Sequence, residues 1–228
     1  MALTERLAAL RARVDAAARA AGRDPASVRI LPVSKFHPVE SVRACHEQGY
    51  TLFGENRLQE LREKHLALPD VRFAMTGHVQ RNKVKLVVEA ASELHSLDSL
   101  ALAERLNERL HDAGRRLPVL VQVNTSDEPQ KSGIAPDEAL RFAEGLLHCD
   151  ALTVRGLMTM AMPSDDPEEV AGCFRRLRAV QERLRAAFPE AQWDELSMGM
   201  SNDFELAIAE GATTVRLGTA IFGPRPAH

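Results

Sequence analysis

The sequence predicts an α/β fold of the (β/α)8 TIM-barrel class with an extra N-terminal helix. Three observations carry that expectation. Eight short apolar runs recur along 228 residues, a helical pattern fills nearly every gap between them, and a polar cluster follows the end of each run. Coincidence would align two or three such clusters, hardly eight. The C-terminal rim of a barrel is where this fold keeps its chemistry.

Residues 4–21 are rich in Ala, Leu and Arg, with Leu7, Leu10, Val14 and Ala17 on one helical face. Strand runs follow at 28–33, 50–53, 72–75, 93–95, 118–123, 153–157, 195–197 and 214–217. Helical patterns lie between them at 38–48, 58–65, 83–90, 100–111, 136–147, 167–187 and 203–210. The third, fourth and seventh runs are weak, which leaves a doubly wound open sheet as the competing architecture. Pro32 sits inside the first run, where a ladder donor is missing, and a bulge near Lys35 would accommodate it. No linker, low-complexity tract or internal repeat divides residues 1–228, so one domain is expected.

Composition excludes several function classes. An apolar fraction of 45% can fill a core, and a net charge of −3 gives no reason to expect nucleic acid or an anionic membrane as partner. Cys45, Cys149 and Cys173 are odd in number and widely spaced, forming neither a disulfide framework nor a metal motif. They read as buried thiols of a reducing cytosol. Residues 1–23 are too charged for a signal peptide, and no apolar run is long enough to span a bilayer. A cytoplasmic protein is expected. The eight histidines show no metal-ligand spacing, and no nucleotide-binding or nucleophile-elbow motif occurs.

Lys35 is the residue on which function turns. It follows the first strand run and precedes His37-Pro38, a helix-opening signal. Taken alone it reads as a solvated charge. A strand-exit lysine covered by a βα turn can instead form a Schiff base, provided burial or a nearby cation such as Arg216 depresses its pKa. Leu196-Ser197-Met198-Gly199-Met200-Ser201 and Val215-Arg216-Leu217-Gly218-Thr219 supply small and hydroxyl-bearing residues suited to phosphate. Ser201 and Asn202 also read as caps of the following helix, with Asn202 and Glu205 at capping-box spacing. Barrels often bind phosphate in the loops after strands seven and eight, which favours Ser201, Gly218 and Thr219 as an anion cradle. An amine and a phosphate cradle are the minimum for holding pyridoxal phosphate. For Arg216 a carboxylate partner such as Glu55 is the structural alternative, and for His78 a hydrogen-bonded structural role stands beside that of a general base.

Seven stretches together resemble a known family. They are Val33-Ser34-Lys35, Phe53-Gly54-Glu55-Asn56 with Gln59-Glu60, Gly77-His78-Val79-Gln80-Arg81-Asn82-Lys83, His95-Ser96-Leu97-Asp98-Ser99, Gln122-Val123-Asn124, Gly156-Leu157-Met158-Thr159, and residues 196–201 running into 215–223. In this order they resemble the pyridoxal phosphate homeostasis protein family, barrel-only relatives of the alanine racemase N-terminal domain. Pro32 and Arg57 depart from many relatives without touching a proposed ligand. The resemblance implies a Schiff base between Lys35 and pyridoxal 5'-phosphate, with Asn56 and Met198 lining the cofactor. It further implies phosphate contacts from Ser201, Gly218 and Thr219, and Arg216 near the pyridine nitrogen.

In function the resemblance implies a carrier or regulator in vitamin B6 and amino-acid homeostasis, with no strong reaction of its own. Arginine does not yield its proton in proteins, so Arg216 would leave the ring nitrogen unprotonated and the ring a weak electron sink. Alanine racemase relies on a tyrosine base from a second domain. This chain ends at His228 and its one tyrosine, Tyr50, begins the second strand run. An amino-acid racemase is the enzymatic alternative, and an aldolase-type barrel with a sugar-phosphate imine on Lys35 a third. Pyridoxal-phosphate-dependent enzymes are the expected recipients, and a monomer is expected.

Overall fold

A computed structural model describes residues 2–126, 128 and 132–224. Among these, a leading helix is followed by eight strands that alternate with eight further α-helices. The leading helix is α1 (Leu3–Ala20). It is followed by β1 (Arg29–Pro32), α2 (Val39–His46), β2 (Leu52–Glu55), α3 (Leu58–Ala67), β3 (Arg72–Met75), α4 (Val84–Ala90), β4 (Glu93–Leu97) and α5 (Leu100–Asp112). The second half comprises β5 (Leu117–Gln122), α6 (Ala139–Leu146), β6 (Leu152–Met158), α7 (Pro167–Ala187), β7 (Glu195–Ser197), α8 (Phe204–Ala209), β8 (Thr214–Leu217) and α9 (Thr219–Phe222).

All strand pairs are parallel, in the order β1-β8-β7-β6-β5-β4-β3-β2. The ring closes where Val33 bridges Gly54 and Ser34 N–H donates to Gly54 O at 3.0 Å. The open-sheet alternative is thereby overturned, and the three weak runs are all paired strands. Pairing with their neighbours on both sides, more than their own composition, holds them in the sheet.

Pro32 needs no bulge, contrary to expectation. β1 runs alongside β8 without a register shift, from Arg29↔Thr214 to Pro32↔Leu217. Val33 N–H donates to Leu217 O, and Ser34 N–H points the other way, to β2. By alternation the donor that Pro32 lacks faces the β1–β2 seam, where pairing is thin. The shifts occur elsewhere, between β4 and β5 and at Arg155 of β6.

The main core lies between barrel and helices, with Phe53, Phe73, Phe174 and Phe204 fully buried. α1 buries Leu7, Leu10, Val14 and Ala18, so its apolar stripe ends one residue beyond Ala17, which is half-buried. It also braces the last two helices. Arg6 Nε donates to Ile221 O at 2.8 Å and Arg13 pairs with Glu205, while Arg23, just beyond the helix, donates from Nη1 to Ile208 O at 2.9 Å.

The barrel lumen is filled unevenly. Leu31, Leu52 and Ala74 form an apolar cluster on the β1–β3 side. Near the N-terminal ends of the strands Arg29 donates to both Glu93 oxygens at 3.1 and 3.2 Å and to Glu195 at 3.1 Å. Burial alone would raise the Glu93 carboxyl, but a hydrogen bond with His95 and the Arg29 charge override it and hold it down to about 2. A carboxylate depressed in the folded state stabilises above its unfolded pKa and loses that contribution as pH falls. We expect Glu93→Gln to flatten the stability–pH curve between about pH 4.5 and about pH 2. Urea titrations across that range test it, and parallel curves for variant and parent would refute it.

Candidate functional site

Strand alternation decides which side chains reach the barrel mouth. A Cβ on Gly54 would lie 3.0 Å from Val33 Cγ2 and 3.5 Å from Leu31 Cδ2, so these positions face the lumen. Ser34 faces outward, donating its hydroxyl to Glu55 Oε1 at 2.6 Å. Lys35 comes next, half-buried on the lumen side of the rim. The chain then turns sharply, with His37 N–H donating to Ser34 O at 3.0 Å. Phe36 takes φ 66°, a left-handed conformation that non-glycine residues seldom adopt. Its amide is held by Glu60 Oε1 at 2.7 Å, and its ring lies 5.0 Å beneath the Arg57 guanidinium. Such strain persists only where the surroundings over-determine it.

Beneath this turn lies a buried ion cluster that the sequence did not reveal. Lys64, only 3% exposed, donates to Ser34 O at 2.7 Å, Glu55 Oε1 at 2.6 Å and Glu60 Oε1 at 2.8 Å. An ammonium has three donors, and all three are committed. Glu55 is fully buried, and its Oε2 has no hydrogen-bond partner among the described residues. Burial pushes the Glu55 carboxyl above its usual range, against the pull of Lys64 and Ser34. Glu60 and Lys64 stand at i,i+4 spacing on α3, a pairing that ordinarily stands in solvent.

The anion corner joins three elements. The 199–201 loop is pinned to β8 by Arg216 N–H donating to Gly199 O at 2.9 Å. It is pinned to α9 by Ala220 N–H donating to Ser201 Oγ at 3.2 Å. Gly199 has φ 90°, and a Cβ there would stand 2.6 Å from Ala207 Cβ, so the loop requires glycine. A Cβ on Gly218 would lie 3.2 Å from Val33 O, which ties the β8 exit closely to β1. Ser201, Gly218 and Thr219 are thus brought together, with Thr219 exposed. The capping expectation for Ser201 and Asn202 does not hold. Asp203 takes the N-cap position of α8 and its carboxylate accepts from Met200 N–H, while the Ser201 hydroxyl serves α9. α9 itself, four residues long, was missed because it is too short to show a helical period.

Arg216 lies inside the barrel, 5% exposed. Its Nη1 donates to Ser197 O at 2.6 Å and Ser197 Oγ at 2.9 Å, and its Nη2 donates to Thr159 O at 2.7 Å. Glu55 is not its partner, because Glu55 points outward to Lys64. Burial lowers the guanidinium to about 10, with Asp203 acting in the other direction, so the group stays charged at neutral pH.

Asn56 is half-buried at the rim, its Oδ1 accepting from Thr76 Oγ1 at 2.9 Å, which leaves its amide N–H groups to donate elsewhere. It shares a basic rim pocket with Arg57, Gln59, His78, Gln80 and Lys83. His78 is exposed and meets Asp98 at 3.2 Å. Met198 is fully buried in the apolar core, one position beyond lumen-facing Ser197, so it offers no exposed side-chain surface to a ligand. Tyr50 precedes β2, at the end of the barrel opposite Lys35. Among the described residues no group of side chains suits a metal ion, and no helix is long and apolar enough to cross a membrane.

Comparison with known proteins agrees with this geometry. The family model for the alanine racemase N-terminal domain matches residues 6–226. The pyridoxal phosphate homeostasis protein of Pasteurella multocida is 40% identical, over 99% of this chain and 98% of its own. That of Pseudomonas aeruginosa is 42% identical, over 98% and 96%. The structure of PipY from Synechococcus elongatus with pyridoxal phosphate bound superposes with a TM-score of 0.86 at 36% identity, covering 97% of this chain and 100% of that one. Alanine racemase of Clostridium difficile shares the fold at a TM-score of 0.72 and 16% identity, covering 88% of this chain and 52% of that one.

Proposed function

The chain belongs to the alanine racemase N-terminal domain family, within it to the pyridoxal phosphate homeostasis proteins, and from that premise we propose that it binds pyridoxal 5'-phosphate covalently through Lys35 and serves cellular vitamin B6 and amino-acid homeostasis. The observation that carries this reading is the convergence on one barrel mouth of the Lys35 turn, the Ser201–Ala220 corner and the buried Arg216. The residues present fit the group: an amine, a corner tightened around Gly199 and Gly218, and a fixed cation.

When bound, the cofactor supplies an aldehyde that captures amines and a ring that can withdraw electrons. Lys35 provides the capturing amine. Ser201, Gly218 and Thr219 hold the phosphate, Arg216 donates to the ring nitrogen, and Asn56 lines the pocket from the rim. Met198 contributes by packing beneath the 199–201 loop rather than by a side-chain contact. A guanidinium donates without giving up its proton, so it keeps the ring nitrogen unprotonated and the ring a poor electron sink. With its single tyrosine at the far end of the barrel, the protein acts as a carrier or regulator rather than a strong racemase. Its recipients are pyridoxal-phosphate-dependent enzymes, and it works as a cytoplasmic monomer whose three buried, unpaired cysteines suit a reducing compartment.

The purified protein should be yellow, and borohydride should bleach the band and leave the label on Lys35. Mapping the reduced adduct to Lys64 or Lys83 would defeat the assignment. A chiral assay should find negligible alanine racemisation. Turnover of about one per second or faster would make the protein an enzyme instead.

A further inference from the structure

TIM-barrel interiors are ordinarily packed with branched apolar side chains, yet half of this one holds a continuous polar column. It runs from Arg29 through Glu93 to His95, with Nε2 2.9 Å from Glu93 Oε2, and on to Ser197, with Nδ1 3.2 Å from Oγ. Ser197 Oγ then accepts from Arg216 Nη1 at 2.9 Å. His95 is 1% exposed and Ser197 fully buried. A buried network of this kind is costly unless every member is satisfied.

The donors in this column can be assigned without ambiguity. Both arginines only donate. Glu93, paired with Arg29, is an ionised acceptor, so His95 must present Nε2–H to it. The Nδ1 of a neutral imidazole is then an acceptor, and the Ser197 hydroxyl donates to it while receiving Arg216 Nη1. Each hydrogen is dictated by its neighbour, and the guanidinium of Arg216 is locked in orientation at one end of the chain.

We infer that His95 and Ser197 are positioning residues that hold Arg216 as the fixed donor to the cofactor's ring nitrogen, so that this column sets the protonation of the bound ring. The inference rests on the pyridoxal phosphate reading given above. A proton on His95 Nδ1 would reverse its bond to Ser197, strip the serine hydroxyl of its acceptor and set two cations against one oxygen. The charged and polar groups facing His95 are Glu93 from its own strand, Arg29 from β1, Ser197 and, behind Arg29, Glu195 from β7, and Arg216 from β8. Burial holds the imidazole below its usual range, and the two arginines reinforce that against Glu93. The neutral form therefore persists through the physiological range, and with it the donor geometry of Arg216.

The test has two arms. In the first, ¹⁵N-histidine NMR of the cofactor-free protein should show a neutral, Nε2–H His95 from about pH 8 to about pH 5.5, a window spanning the ordinary histidine pKa of about 6.5. An imidazolium or an Nδ1–H tautomer at pH 7 would overturn the column. In the second, protein loaded with ring-¹⁵N pyridoxal phosphate should show an unprotonated ring nitrogen whose shift is constant over that window. Ser197→Ala keeps the Ser197 carbonyl contact to Arg216 but frees His95 Nδ1, and should make the ring shift pH-dependent. His95→Asn, which restores an acceptor for Ser197, should leave the shift constant. If Ser197→Ala, folded and loaded, matches the parent across the whole window, the column does not act through Arg216. If the parent fails to load at all, the carrier reading falls, and the first arm still decides the tautomer.

Discussion

Lys35→Ala is expected to abolish covalent capture of pyridoxal phosphate while leaving non-covalent binding measurable. The phosphate corner is built without Lys35: Ser201 Oγ rests on Ala220 N–H, and the 199–201 loop is tied to β8 through Arg216 N–H. Charge-assisted hydrogen bonds contribute about 1.5–3 kcal/mol each, so several of them retain the free aldehyde. Borohydride followed by mass spectrometry should find no adduct on the variant, and equilibrium dialysis should find residual binding. Ser201→Ala with Thr219→Val should do the opposite, weakening affinity while the adduct on Lys35 still forms at high cofactor concentration. If Lys35→Ala binds nothing and the double variant binds as tightly as the parent, the corner is misplaced and does not hold phosphate.

Lys64→Met should produce the largest loss of stability. It leaves the fully buried Glu55 without a cation and strips donors from Ser34 O and Glu60. Breaking a buried pair by removing one partner costs about 3–5 kcal/mol. Glu55 already sits above its usual range because of burial, and losing Lys64 raises it further. A carboxyl whose folded pKa is raised binds its proton more readily folded than unfolded, so the deficit should be greatest at neutral pH and shrink as pH falls. Lys64→Met/Glu55→Gln should recover much of the loss. Urea unfolding at about pH 7.5 and about pH 5.5 measures both effects. A deficit below about 1 kcal/mol, or one that does not change with pH, would show that the cluster is unimportant to stability. Because Lys64 also holds Ser34 O, the single variant should loosen the turn that presents Lys35.

The same cluster shows where sequence reading stopped. Residues 72–75, 195–197 and 214–217 were recognised as strands with the limits the structure gives them, and α7 with both its ends. The rim residues Lys35, Asn56, Ser201, Gly218 and Thr219 were legible because each follows a strand, and a parallel barrel brings all strand exits to one end. The burial of Lys64 was not legible, since nothing in its own neighbours says that Glu55, nine residues earlier, is buried beneath it.

Periodicity and punctuation along the chain were sufficient for the class of fold, the order of its elements and the end at which its polar residues collect, because those depend on local spacing alone. Which polar side chains meet was decided only by the closed barrel. Arg216 found Ser197 and Thr159 rather than Glu55, Ser201 served α9 rather than its own helix, and Pro32 fell at a seam instead of a bulge. Pairing across a barrel depends on register and on the alternation of facing strands, summed around the ring, and each of these contacts joins residues that the chain itself keeps far apart.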